Sequence, residues 1–404
     1  MPLEGWNPEN ILYMVVEPNT VEEDLTNFPL CIRINTSSQD GYNSSFILDK
    51  ISYTDRKKIA VTYGDGAQET ECYVEIESWD DIARDVCLWA KIPTILKDDY
   101  TFIKFYYDRF HVENTTYIGD TGDSPAQQVW DTDNAGVWHF ATNPPEDSTG
   151  NATTPTVYGT ANVVQGFLGK ALEFTTNFTY VDFGNVANLT NYITVELLLN
   201  VTTGSNILSK GTQYYIKDTS SIYAEFLNGS SSLERVSSYI NIQNQGWKYL
   251  VWIYDNDSPG VNSFIKIDSD ERSKYLSGPL VSSSDSLYLG ASSNSILGKI
   301  CDLRISNIRR SYYWLEAQRI NFNDDMLKVM KYYVSGRTKL LEVPTPMQVS
   351  LYKRSTGKLV STTTSDSNGI YVLPALDVTE HDVVGFENQY YNHVLVSKIT
   401  PLLK

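Results

Sequence analysis

The densest run of acidic side chains is Glu75, Glu77, Asp80 and Asp81. Two carboxyls two residues apart on one strand could serve as general acid and base, the pairing used in glycoside hydrolysis. The flanking alternation points elsewhere. Cys72, Val74 and Ile76 would face a core, and Glu71, Tyr73, Glu75 and Glu77 would face water. No His or Lys stands close by in the chain to support such chemistry. The expectation is therefore a solvated strand face leading into a turn. His139 lies in the apolar run Trp138-His139-Phe140 and reads as a satisfied core or sheet-edge histidine rather than a metal ligand. His111, His381 and His393 are scattered and lack ligand spacing. Of the four cysteines, Cys31, Cys72, Cys87 and Cys301, none forms a Cys-x-x-Cys pair, which argues against zinc and dithiol chemistry. Cys31 and Cys87 sit in apolar runs and read as small buried hydrophobes.

The elements that would position these residues are almost all strands. Short runs rich in Val, Ile, Tyr, Phe and Thr recur between Gly, Asn, Asp and Ser, as in Phe28–Ile34, Val86–Lys91, Phe102–Tyr107, Ile193–Leu199 and Tyr249–Tyr254. Dense apolar positions without Pro or Gly predict one or two short helices between Tyr312 and Tyr333. The chain of 404 residues carries 28 Tyr and a net charge of −17. Its length suits two or three domains. Its acidity repels phosphate, which excludes general nucleic-acid binding. No apolar run is long enough for a membrane span. Met1-Pro-Leu-Glu-Gly-Trp6 lacks the basic-then-apolar pattern of a secretory leader. Residues 1–127 hold 10 Lys and Arg against 23 Asp and Glu, whereas residues 335–404 hold 7 against 6. This asymmetry predicts different surroundings for the two ends, with the near-neutral C-terminal part packing against another protein.

Three resemblances follow from ordered motifs. Phe28–Ile34, Tyr53-Thr54-Asp55, Tyr73–Asp80, Leu88–Pro93 and Phe102–Tyr107 resemble a domain of unknown function commonly found before laminin-G-like domains. The segments Val129–Phe140, Asp147–Asn151, Gly166–Phe174, Tyr180–Gly184, Leu287–Gly290 and Leu297–Asn307 resemble the concanavalin A-like, laminin-G-type sandwich. Cys301 and Leu303 depart from that family's usual residues. Val349–Val360 and Ser365–Tyr371 resemble the carboxypeptidase-regulatory-like, transthyretin-type module, and Tyr390–Pro401 resembles its form in bacteriophage structural proteins.

The resemblances imply an all-β chain of three sandwiches in series. These are a jelly-roll-like module over 1–127, a concanavalin A-like jelly roll over 128–325, and a helical linker with a transthyretin/Ig-like sandwich over 326–404. The second fold hosts both glycan binders and glycosidases, so fold alone does not decide. The Glu-x-Asp-x-x-Glu spacing of its retaining glucanases is absent; Asp268-Ser269-Asp270-Glu271 comes nearest and reads as an exposed turn. Such sandwiches also carry calcium at a loop edge. Asp131, Asp133 and Asn134 are the candidate Ca²⁺ ligands, with Asp302 as a second candidate or a strand-edge acceptor. Trp130, Trp138 and Trp247 read as core residues, with stacking on sugar as the alternative. The resulting expectation is a non-enzymatic bacteriophage virion protein, tail-associated and displayed on the particle surface. Its partners would be other virion proteins, further copies of itself and a host-surface glycan. The alternatives are an extracellular bacterial carbohydrate-binding or adhesion protein, and a glycan-cleaving enzyme.

Overall fold

The computed structural model describes residues 3–37, 41–64, 69–340, 343–344, 346–365, 367–386 and 393–403. It is built almost entirely from antiparallel sheets, as expected. Among the described residues no helix is long and apolar enough to cross a membrane. The chain divides into two compact units, residues 1–74, 90–118 and 323–404 in one and residues 75–89 and 119–322 in the other.

The first unit joins the two ends of the sequence. A five-stranded sheet runs in the order Lys328–Val329, Ile11–Val16, Thr101–Tyr107, Ile59–Tyr63, Thr70–Glu71. The last module contributes a second sheet, Lys358–Thr364, Gln348–Lys353, His381–Phe386, His393–Ile399. One core binds them: Val15 and Phe102 from the N-terminal part cluster with Met330, Val334, Leu351, Val360 and Leu373. The near-neutral C-terminal module thus packs on the acidic N-terminal one within the same chain. Tyr390–Asn392, part of the phage-like ending, and Asp366 lie outside the described residues.

The second unit is a two-sheet sandwich. One sheet has seven strands, in the order Thr156–Tyr158, Tyr180–Asp182, Leu287–Gly290, Asn206–Lys210, Tyr214–Asp218, Ile222–Leu227, Leu233–Ser237. The other runs Ala161–Gln165, Lys170–Phe174, Leu297–Ser306, Tyr192–Thr203, Lys248–Asp255, Ser263–Ile267, Asp270–Lys274, with Asn134–Trp138 also paired to Leu297–Ser306. The inward residues of both sheets, among them Val181, Leu208, Ile216, Leu172, Val195 and Trp252, form one core, the alternation expected of a sandwich. Trp138 is fully buried in it. Its ring fits because residue 136 is glycine: a Cβ there would stand 2.0 Å from the indole.

The helix expected somewhere over residues 312–333 is shorter than that span. It covers Tyr312–Phe322, and Lys328–Val329 and Tyr332–Arg337 are strands. Met326, Leu327, Val329 and Met330 are buried, so their apolar density reflects burial on several sides rather than a helical period.

Candidate functional site

Three places in the second unit hold the residues on which a function could rest. The first is a closed polar centre that corrects the reading of the acidic run. Glu75 and Glu77 do not line a solvated face: Glu75 is fully buried and Glu77 is 7% exposed. Both faces of the strand Val74–Asp80 are covered, so the polar alternation that suggested water marks a polar interior instead. Partners arrive from distant parts of the sequence. Glu75 accepts hydrogen bonds from Trp130 Nε1 at 2.6 Å, Thr121 Oγ1 at 2.7 Å and Ser148 Oγ at 2.7 Å. Glu77 accepts from Trp89 Nε1 at 2.8 Å and Cys87 Sγ at 3.2 Å. His139 Nδ1 lies 2.8 Å from Asp302 Oδ2, and its Nε2 stands 3.6 Å from Glu75 Oε2, an ion-pair rather than a hydrogen-bond distance. Arg304 closes the network with Nε and Nη2 on Asp302 at 2.8 and 3.1 Å, and its guanidinium lies 4.4 Å over the Trp89 ring. Glu196 accepts from Tyr249 Oη at 2.5 Å.

In this centre burial competes with pairing. Burial alone would drive all four carboxyls toward their neutral forms. For Glu75, the His139 charge and the hydroxyl hydrogen bonds outweigh burial and hold it below the usual carboxylate range. For Asp302, Arg304 and His139 do the same. For Glu77 and Glu196, burial dominates and pushes them up. Burial pulls His139 down, but Glu75 and Asp302 more than reverse it, to about 10. Four buried carboxyls thus share two cations: Asp302 pairs with both His139 and Arg304, Glu75 faces His139, and Arg304 also acts on Glu196. Asp302 is therefore the shared partner of His139 and Arg304 rather than a strand-edge acceptor.

The second place is the acidic run Asp131, Asp133 and Asn134. Both carboxylate oxygens of Asp131 accept from Arg310, Nη1 and Nη2 each at 2.8 Å, and Asn134 Nδ2 donates to Asp131 Oδ1 at 2.7 Å. Asp133 offers its backbone carbonyl to Asn307 N at 2.8 Å. A guanidinium fork, already supplying the positive charge, faces Asp131. Among the described residues no group of three or more His, Cys, Asp or Glu is arranged to hold a metal ion. All four cysteines are buried thiols outside any disulfide. Asp268 accepts from Lys248 Nζ at 2.8 Å and Tyr249 N at 3.0 Å.

The third place is the outward face of the seven-stranded sheet, which sequence reading missed. Register puts Tyr158 opposite Tyr180, and Asp182 opposite Tyr288. Ser209 lies opposite both Tyr288 and Tyr215, and Tyr223 lies opposite Lys217. Their in-line neighbours Val181, Leu289, Leu208, Ile216 and Ala224 face the core, so these tyrosines share the opposite face. They occupy five of the first six strands, a span of about 24 Å at ordinary strand spacing. Tyr158 and Tyr180 are stacked at 4.7 Å, and Tyr288 meets Tyr180 edge-on at 5.7 Å. Ser209 leaves a low floor between Tyr288 and Tyr215. Lys217 Nζ lies 4.3 Å over Tyr215, and the Arg235 guanidinium 4.0 Å over Tyr223. Tyr158 is 45% exposed. The signal was present in the abundance of tyrosine, but only strand order brings Tyr158, Tyr180, Tyr215, Tyr223 and Tyr288 together. Of the three tryptophans considered for sugar stacking, Trp130 and Trp138 are buried, and Trp247 is half-buried beside Phe167 at 6.0 Å.

No protein-family model and no curated protein sequence matches the chain. Solved structures resemble it in part. The binding domain of Paraclostridial Mosquitocidal Protein 1 is 11% identical, with a TM-score of 0.40 over 66% of this chain and 73% of that one. Domain 4 of AbnA, an extracellular arabinanase from Geobacillus stearothermophilus solved with arabinotriose, is 19% identical, with a TM-score of 0.38 over 48% of this chain and 98% of that one. The receptor-binding domain of a botulinum neurotoxin C/D mosaic serotype is 8% identical, with a TM-score of 0.38 over 65% of this chain and 72% of that one.

Proposed function

We propose that this chain is a non-catalytic carbohydrate-binding protein whose second unit lays a glycan across the tyrosine-lined sheet face. The observation that carries this reading is the placement of Tyr158, Tyr180, Tyr215 and Tyr288, each at least partly exposed, on one outward face of one sheet, with Tyr223 buried beside them. A tyrosine ring offers an apolar face to sugar C–H groups and a hydroxyl to sugar oxygens, with little side-chain entropy to lose. The non-catalytic part is supported by the fate of the acid cluster. Glu75 and Glu77 lie inside the protein, and the bonds they make are to protein groups. A site on a bacteriophage particle, tail-associated and facing the host surface, is supported by the resemblance of the C-terminal module to phage structural proteins. In that setting, other virion proteins and further copies of this chain are the partners.

Affinity electrophoresis against a panel of soluble polysaccharides tests the binding reading. At least one polymer is expected to retard the chain, and Tyr180→Ala with Tyr288→Ala is expected to abolish the retardation. A panel without retardation, or retardation indifferent to both substitutions, would sink it. Detection of the chain in purified particles tests the virion placement separately.

A further inference from the structure

Next to the strand end that carries Tyr180, three connections of the second unit meet at one end of the sandwich. They are Thr175–Thr179, Thr203–Ser205 and Ala291–Ile296. Backbone bonds tie them together. Ser295 N donates to Asn177 O at 3.1 Å, and Ser205 N and Asn206 N both donate to Asn294 O at 3.2 Å. Ser295 Oγ, fully buried, donates to Thr179 O at 2.6 Å, and Asn294 Nδ2 donates to Ser205 Oγ at 2.7 Å. Gly204 permits the closest approach. Its φ is +95°, and a Cβ there would lie 2.0 Å from the Ser295 carbonyl oxygen, a backbone atom that cannot yield. The three connections therefore form a preset frame.

The frame encloses a depression of about 520 Å³, within the usual range for small-ligand sites. Its chemistry is narrow. None of the nine lining residues carries a charge. Thr175, Thr176, Thr203 and Asn294 bring hydroxyl and amide groups. Asn177 gives its carbonyl to the frame and leaves its side chain exposed. Phe178, 61% exposed, presents an apolar ring at the rim. A charged ligand would find no counter-ion there, and a purely apolar one would leave the polar rim unused: Thr175 Oγ1 donates to Thr160 O at 3.4 Å and Thr176 Oγ1 pairs with Thr179 Oγ1 at 2.9 Å, and both oxygens keep lone pairs for a further donor. A neutral sugar, with hydroxyls on its edge and an apolar ring face, satisfies both kinds of group.

We infer that this depression is a second carbohydrate subsite, taking a single neutral sugar residue end-on. The inference rests on the reading that this unit binds carbohydrate, but it uses none of the five tyrosines. The test is saturation-transfer NMR on the full chain with methyl glycosides of glucose, galactose, mannose and arabinose, and with glucuronate as the charged probe. At least one neutral glycoside is expected to receive saturation, and glucuronate none. Phe178→Ala is expected to weaken the neutral glycoside about fivefold, Asn177→Ala likewise, and Tyr215→Ala not at all. Phe178 is a loop side chain exposed to solvent, so its loss leaves the core intact. Saturation insensitive to Phe178→Ala, equal transfer to glucuronate, or transfer lost in Tyr215→Ala would overturn the subsite and leave the broader carbohydrate reading standing. No transfer to any glycoside, together with polysaccharide retardation that depends on Tyr180 and Tyr288, would also overturn the subsite alone. Absence of both would overturn subsite and reading together.

Discussion

Two polar regions of the second unit invite opposite readings from sequence and reverse them in three dimensions. Glu75, Glu77, His139, Asp302 and Arg304 have the composition of a reaction centre, yet they are sealed inside and paired with one another. Tyr158, Tyr180, Tyr215, Tyr223 and Tyr288 look like ordinary strand residues, yet they assemble into a surface of one chemical kind. Residue type alone does not separate a polar core from a binding face. What separates them is access to solvent: the closed centre is buried, and of its polar atoms Glu77 Oε1 and His139 Nε2 stand without a hydrogen bond among the described residues. Every carboxyl of the closed centre accepts at least one hydrogen bond from the chain. Tyr158, Tyr180, Tyr215 and Tyr288 touch one another or Lys217 and stay at least partly exposed, whereas Tyr223 is buried against the Arg235 guanidinium.

The comparison can be broken most forcefully at Arg304. Arg304→Met keeps much of the volume but leaves Asp302 facing His139 alone and removes the counter-charge beside Glu196. A loss of about 3–5 kcal/mol is expected in urea unfolding, the cost of breaking a buried pair from one side. A loss below about 1 kcal/mol would mean the centre is not the paired set described.

The pH profile comes next. His139 is raised in the folded state, to about 10, so its stabilising pairs are complete below its unfolded value near 6.5 and fade as pH rises through 10. Asp302 and Glu75 are lowered, so their contribution is present above their unfolded values and fades as pH falls through the folded ones. Unfolding free energy in wild type should therefore fall on the alkaline side more than in His139→Gln. Parallel alkaline slopes would remove His139 as the cation of the centre.

The smallest expected effect lies on the open face. Tyr158→Ser, at a half-exposed position on an edge strand, should change stability by no more than about 0.5 kcal/mol while weakening polysaccharide retardation. A large loss of stability with unchanged retardation would make the tyrosine row a structural feature.

Much of the fold was legible in the sequence. The strands around Phe28–Ile34, Phe102–Tyr107, Ile193–Leu199 and Val349–Val360 could be read from alternation and turn residues, and these depend on local periodicity. The helix at Tyr312–Phe322 was visible, but its end was not, because buried strands such as Lys328–Val329 imitate helical apolar density. The burial of Glu75 and Glu77 was hidden, since Trp130 and Ser148 are 55 and 73 residues away from Glu75. Local sequence carries no record of such partners. The Arg310 fork on Asp131, a residue read as a candidate calcium ligand, was hidden for the same reason: Arg310 is 179 residues away.

By itself, the sequence determined that the chain is all-β and that its composition is acidic and rich in tyrosine. Those properties follow from residue type and period, which act over a few positions. Only the tertiary structure decided which acids are buried, which tyrosines share a face, and that the two ends of the chain enclose one core. Those outcomes depend on strand order and register, through which residues far apart in sequence become neighbours.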